Sequence, residues 1–215
     1  MKLKAKVLKL RFYTGSTFSI RFERKDFQFK AGQYLVLSVP GISESREYSV
    51  ASGENDPWLE VLVREIPEGN LTPTLKKLKP GDFVEVEGPF GFFVLNENEL
   101  EEKEYVFLAT GTGISPFQSF VKSVPEINYH LVHGIRNFEE DYGRDIFPVL
   151  HRTICTSRDE RGNFAGRVTK FLKEATIDTD KIYYLCGNSQ MIDETAGILE
   201  DAGVPVRNIR SEVFF

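Results

Sequence analysis

A chain of 215 residues, 41% hydrophobic and 27% charged, has enough apolar material for two modest folded domains and is too hydrophobic for a disordered one. No stretch approaches the roughly 18 apolar residues of a membrane span, and Met1-Lys2-Leu3-Lys4-Ala5-Lys6 lacks a signal core, so a cytoplasmic protein without a membrane span is expected. Two cysteines exclude both a four-thiolate iron–sulfur cluster and a disulfide framework, and a net charge of −5 argues against nucleic acid as partner.

Residues 1–30 are basic against that background, with nine Lys/Arg facing only Glu23 and Asp26. Such an edge suits an acidic macromolecular partner, or is simply a lysine-rich strand face kept soluble. Short β runs are predicted over 4–13, 17–23, 33–39, 46–51, 59–65 and 83–87, with one helix over 72–78 before the turn Lys79-Pro80-Gly81-Asp82. Short strands at this spacing predict an antiparallel barrel. Within the fourth run, Arg46 and Tyr48 share one strand face and Ser49 takes the other. A guanidinium can hold a phosphate bidentately, a phenol ring can lie against a flat heterocycle and a hydroxyl can meet its edge, which reads as a flavin site. An ordinary half-buried strand accounts for the same residues. Glu68-Gly69-Asn70-Leu71-Thr72-Pro73 then offers a pyrophosphate cradle, or a plain Thr N-cap with Pro73 at the first helical position.

The acidic run 96–104 bounds this half as a solvated linker or surface turn. Beyond it come apolar strands over 105–110, 127–133, 154–157 and 181–186, alternating with helices over 115–122, 166–174 and 189–202, the pattern of a parallel sheet covered on both faces. Ligands of such sheets bind at the carboxyl ends of the strands. There stands Gly111-Thr112-Gly113-Ile114-Ser115-Pro116, whose glycines permit close approach of a ligand although Pro116 departs from the third glycine of the dinucleotide fingerprint. A tight turn that binds nothing has the same sequence. Cys186-Gly187-Asn188 ends the fourth strand, placing a thiol at the ligand edge, where an inert buried filler is the alternative. His130, His133 and His151 have no metal-ligand spacing and read as structural, and no metal is expected.

Arg46-Glu47-Tyr48-Ser49, Gly69-Asn70-Leu71-Thr72, Gly88-Pro89-Phe90-Gly91-Phe92-Phe93, Gly111 to Pro116, Cys186-Gly187-Asn188 and Glu212-Val213-Phe214-Phe215 together resemble the ferredoxin–NADP reductase family. The resemblance runs from about residue 7 to 215 and is strongest to the compact bacterial branch that reduces ferredoxin or flavodoxin. It implies two domains: an antiparallel β-barrel FAD domain over 1–97, then an α/β parallel-sheet NAD(P)-binding domain over 98–215 ending in an aromatic residue. It implies FAD held by Arg46, Glu47, Tyr48, Ser49 and Gly69, Asn70, Leu71, Thr72, with Thr112 where the domains meet and Phe215 (or Phe214) over the flavin. It implies NADP held by Gly111, Gly113, Cys186, Gly187 and Asn188, with Arg136, Ser157, Arg158 and Arg167 around the 2′-phosphate. Asp159 and Glu160 would instead favour the free hydroxyl of NAD. Ser49, Cys186 and Glu212 are the implied catalytic residues.

The implied activity is hydride transfer between NADPH and FAD, with single electrons passing to or from an external ferredoxin or flavodoxin. An NAD(P)H–flavin reductase or the reductase component of an oxygenase is the alternative within the class. A non-catalytic flavin-binding electron-transfer subunit is the alternative outside it. A monomer is the expected state.

Overall fold

The computed structural model describes residues 1–213, which fall into two compact units, 1–95 with 115–125 and 96–114 with 126–213. The first unit holds β1 (Lys2–Phe12), β2 (Thr17–Glu23), β3 (Tyr34–Ser38), β4 (Ser45–Ser49), β5 (Trp58–Arg64), α1 (Leu71–Lys77) and β6 (Phe83–Phe90). Its antiparallel strands lie in the order β4-β3-β6-β1-β2-β5, and a bridge from Val50 to Val61 brings the two edges together, giving a nearly closed barrel. Alternation fills its interior: Phe18, Ile20 and Phe22 of β2, Leu35 and Leu37 of β3, Leu59, Val61 and Val63 of β5, and Val84 and Val86 of β6 all point inward and are buried. On β1 the inward set Ala5, Val7 would be followed by Lys9. A register shift between Val7 and Lys9 inserts Leu8 as a bulge, which turns Lys9 outward and Leu10 inward and leaves Leu8 43% exposed.

The second unit carries β7 (Tyr105–Thr110), β8 (Tyr129–Ile135), β9 (Arg152–Thr156), β10 (Phe164–Ala165), α3 (Val168–Glu174), β11 (Ile182–Gly187), α4 (Ser189–Asp201) and β12 (Ile209–Val213). The strands form one parallel sheet in the order β10-β9-β8-β7-β11-β12. Every residue of β11 is buried, as expected of a central strand. Val168 and Leu172 of α3 pack with Met191, Ile192 and Leu199 of α4 on Leu108, Val132 and Leu185 of the sheet. Two strands escaped the sequence reading: β10 is two residues long, and β12 is a mixed run, Ile-Arg-Ser-Glu-Val, that gains its strand character by pairing with β11.

Between β7 and β8 the chain forms α2 (Ser115–Ser123), which groups with the barrel although the sequence assigns it to the second domain. Phe117 and Phe120 meet Phe93 at ring separations of 6.1 and 6.0 Å, the Ser119 hydroxyl donates to the Ser52 carbonyl at 2.7 Å, and the Lys122 ammonium donates to the Ala51 carbonyl at 2.6 Å. A Cβ on Gly32 would come within 1.9 Å of the Phe93 carbonyl oxygen and 2.6 Å of the Phe120 ring, so that contact requires glycine. Among the described residues no helix is long and apolar enough to cross a membrane.

Candidate functional site

In the first unit the site is built on β4. Pairing with β3 sets Arg46 opposite Leu37 and Tyr48 opposite Leu35. Arg46 and Tyr48 are half-buried, Glu47 is exposed on the other face, and Ser49 is buried at the strand end. The Tyr48 ring rests on the barrel core, yet its hydroxyl is buried with no hydrogen-bond partner among the described residues. Burial therefore raises its pKa, against a smaller opposing pull from Arg46.

The loop before α1 lies against Arg46. Glu44 Oε1 accepts from Arg46 Nε at 2.9 Å and Nη2 at 2.6 Å, and Oε2 accepts from the backbone N–H of Asn70 at 2.8 Å and of Leu71 at 3.0 Å. Those amides, and then the guanidinium, hold the Glu44 carboxyl below the usual range. A carboxylate thus rests among donors suited to a phosphate. A Cβ on Gly69 would approach the Ile66 carbonyl oxygen at 3.4 Å and Arg46 Nη2 at 3.8 Å, so this turn passes close under the guanidinium. Thr72 is not the N-cap that the sequence suggested. Asn70 holds that position without a side-chain cap bond, Pro73 comes third in the helix, and the Thr72 hydroxyl is tied to Ile66, accepting from its N–H at 2.8 Å. An orphaned phenol beside a donor cluster that already binds a carboxylate fits the flat ring and phosphates of FAD.

In the second unit the site lies along the carboxyl edge of the sheet. Gly111–Ile114 forms one tight turn after β7, with Gly111 at φ +54°, a left-handed conformation that favours glycine. A Cβ on Gly113 would fall 2.3 Å from the Cys186 carbonyl oxygen, and one on Gly187 would fall 2.1 Å from the Thr110 hydroxyl oxygen. Gly113 thus lets the turn meet the backbone at the end of β11, and Gly187 makes room for the Thr110 side chain. Asn188 caps α4, its Oδ1 accepting from Met191 N–H at 3.0 Å while its amide donates to the Thr110 hydroxyl at 3.3 Å. Cys186 is fully buried and sits opposite Glu212 in the register of β11 and β12. Burial, reinforced by Glu212, pushes its thiol well above the ordinary value, so the sulfur is neutral.

Further along the edge, Arg158 N–H donates to the Arg136 carbonyl at 2.8 Å and Ser157 N–H to the Ile135 carbonyl at 3.0 Å, while Gly166 N–H reaches Thr156 O at 2.8 Å. These bonds gather the loops that carry Arg136, Ser157, Arg158 and Arg167, all four exposed. None of the three guanidiniums forms an ion pair among the described residues, whereas Asp159 is turned away. It accepts from Arg161 Nε at 3.0 and 2.9 Å and from Phe138 N–H at 3.0 Å, and these partners, Arg161 first, hold it well below the usual carboxylate range.

Comparison with known proteins agrees with this architecture. Residues 4–95 match the oxidoreductase FAD-binding domain family and residues 107–197 the oxidoreductase NAD-binding domain family. A flavodoxin/ferredoxin–NADP reductase of Escherichia coli is 31% identical over 88% of this chain and 86% of its own length. The chain belongs to the ferredoxin–NADP reductase family. The electron transfer component of toluate 1,2-dioxygenase from Pseudomonas putida is 28% identical over 86% of this chain, which spans 59% of that relative's length. A ferredoxin NADP+ reductase from Neisseria gonorrhoeae, solved with bound FAD and NADP, shares the fold at a TM-score of 0.88 and 23% identity over 100% of this chain and 99% of its own.

This family member is therefore an oxidoreductase with an FAD-binding barrel and an NAD-binding parallel-sheet unit. Phe215, the expected flavin cover, lies outside the described residues together with Phe214. Sequence reasoning overlooked Glu44 and read His133 as structural without naming its partner. Glu44 stands two before Arg46, a spacing that puts both on one strand face and was available as a signal. His133 is fully buried at the end of β8 with Nε2 2.9 Å from the Gly111 carbonyl, which can only accept, so Nε2 carries the proton. Its Nδ1 has no partner among the described residues, and burial lowers the ring's pKa. A neutral histidine thus fixes the first residue of the glycine turn, a task that no periodicity announces.

Proposed function

We propose that this chain is an FAD-dependent NADPH oxidoreductase that exchanges single electrons with a ferredoxin- or flavodoxin-type carrier. The observation that carries the nucleotide choice is the set of exposed guanidiniums of Arg136, Arg158 and Arg167, without an ion pair among the described residues, beside an Asp159 already paired with Arg161. A 2′-phosphate is the ligand that gains from such a cluster, whereas a free ribose hydroxyl would need an available carboxylate. Relatives named flavodoxin/ferredoxin–NADP reductase support the carrier class.

FAD, when bound, supplies the conversion between a two-electron hydride and single electrons; the protein supplies position and electrostatics. Residues 1–97 are assigned to the flavin and 98–215 to the nucleotide. Arg46, Asn70 and Leu71 are the donors for the flavin's pyrophosphate, Gly69 lets the turn approach, and Tyr48 offers its ring. Ser49 offers a hydroxyl beside the reacting edge, and Glu47, Thr72 and Thr112 complete that assignment. Gly111, Gly113, Gly187 and Asn188 shape the nucleotide turn, with Ser157 beside the arginines. Cys186 remains a neutral filler at the nicotinamide position, since a thiol held protonated cannot act as a base, and Glu212 is the acidic group alongside. Phe215 is assigned as the aromatic cover. A cytoplasmic monomer is the setting of this reading.

Reduction of purified ferredoxin, flavodoxin and free flavin, each with NADPH and NADH, tests it. Fast carrier reduction with a strong NADPH preference is expected; rates confined to free flavin, or equal for both nucleotides, would overturn it. The similarity to oxygenase electron transfer components supports a second reading, in which the carrier is an oxygenase partner rather than a free ferredoxin.

A further inference from the structure

The strand that carries Arg46 begins one residue after Glu44, and the Glu44 carboxylate has taken the Nε and one Nη2 donor of Arg46 and two backbone amides that the flavin's pyrophosphate would use. Its two oxygens share four bonds of 2.6–3.0 Å from the Arg46 guanidinium and the Asn70 and Leu71 amides. The group is seated rather than dangling: its side chain is 24% exposed, and a Cβ on Gly69 would lie 3.5 Å from Oε1. Each N–H has one direction in which to donate, so a second anion cannot use these donors while the carboxylate holds them, and two unscreened anions at one guanidinium repel.

We infer that Glu44 is a specificity-determining residue of the flavin site, an internal anion that competes with the pyrophosphate of FAD for Arg46 and the Asn70 and Leu71 amides. The inference rests on the reading of those three residues as the pyrophosphate donors. Competition of this kind multiplies the affinity for FAD by the fraction of molecules in which Glu44 has left the donors, so its Kd rises as that fraction falls. It has no effect on riboflavin, which carries no phosphate. Glu44 thus narrows the preference for FAD over the unphosphorylated flavin and makes FAD more readily exchanged.

The test uses the full chain, freed of flavin, as wild type, Glu44→Gln, Glu44→Ala and Arg46→Ala. Each is titrated with FAD and with riboflavin, followed by flavin fluorescence, and its flavin-free thermal midpoint is measured. Both Glu44 variants should bind FAD about three- to tenfold tighter with riboflavin affinity unchanged. The flavin-free midpoint of Glu44→Ala should fall, since Arg46 and two amides lose their partner. Tighter binding with lower stability is the signature of competition, because a merely structural residue would lose both. Arg46→Ala should weaken FAD by about tenfold or more. If Arg46→Ala weakens FAD and the Glu44 variants do not tighten it, the competition is wrong and the pyrophosphate site stands. Arg46→Ala without effect on FAD would remove the site and the inference with it, and equal tightening of FAD and riboflavin would show a general opening instead of competition.

Discussion

Gly113 and Gly187 mark where single atoms decide the shape of the turn proposed for the nucleotide, since the Cys186 carbonyl leaves no room for a Cβ on Gly113 and the Thr110 hydroxyl leaves none on Gly187. Gly113→Ala is expected to cost about 1–3 kcal/mol of stability and to weaken nucleotide binding, because the neighbour it strikes is backbone and cannot rotate aside. Calorimetric unfolding and NADP titration check both halves. The arginines act through charge instead. Arg158→Ala with Arg167→Ala should raise the KM for NADPH by roughly 10- to 100-fold and leave NADH turnover nearly unchanged, as each charge-assisted contact is worth about 1.5–3 kcal/mol. Steady-state kinetics with both nucleotides decides it, and equal losses would remove the 2′-phosphate assignment. The cysteines follow a pH argument. Burial raises both thiols, Cys155 to about 12 and Cys186 well above its ordinary value. Unfolded thiols ionise from about pH 9 while the folded ones keep their protons, so the unfolded state sheds protons first and stability falls as pH rises through 9–12. Thiol reagents at pH 8 should find neither cysteine in the native protein and both after denaturation; labelling of the native chain would contradict the burial.

At the scale of elements, α2 shows how a helix is claimed by packing rather than by its place in the chain. Its sequence neighbours form a strand–turn–helix unit, yet Phe117, Ser119, Phe120 and Lys122 all find partners on the barrel. Phe120→Ala should destabilise the protein by about 3–5 kcal/mol, because the ring is fully buried and Gly32 already presses against it. Denaturant unfolding measures that loss; a change below 1 kcal/mol would mean the helix is not anchored as described. The bulge at Leu8 and the strand β12 belong to the same scale. Neither can be read from a local pattern, since the first depends on which residues the partner strand offers and the second on a neighbour that completes its hydrogen bonds.

Around the whole barrel, strand order separates two features that lie close in sequence. In the cyclic order β4-β3-β6-β1-β2-β5, β1 is three strands from β4 in either direction. The exposed Lys2, Lys4, Lys6 and Lys9 of β1 therefore face away from the strand that carries Arg46 and Tyr48. Lys2 pairs with Glu87 at 3.0 Å and Lys4 lies over the Phe83 ring, contacts of a solvated strand face. Reversing Lys4, Lys6 and Lys9 to Glu is accordingly expected to leave carrier reduction within about twofold, an exposed charge contributing little beyond a Debye length of about 8–10 Å. Carrier turnover measured across ionic strength checks this, and a large fall would restore the basic strip as a docking surface.

Local chemistry determined much of this protein. Period-two alternation marked the barrel strands, apolar runs closed by glycine marked β7 and β11, and Arg46, Tyr48 and the Gly111–Gly113 turn stood out as candidates by residue type and spacing. Tertiary structure alone decided which partners the charged groups took. Asp159 could have faced a ribose and was claimed by Arg161, His133 could have been mere filling and holds Gly111, and Glu44 could have pointed to solvent and sits on Arg46. The reason is physical: a side chain's type, strand face and neighbours two residues away follow from the local chain, whereas Gly111 reaches His133 from 22 positions away and the Leu71 amide reaches Glu44 from 27, brought there only when strands pair and loops close.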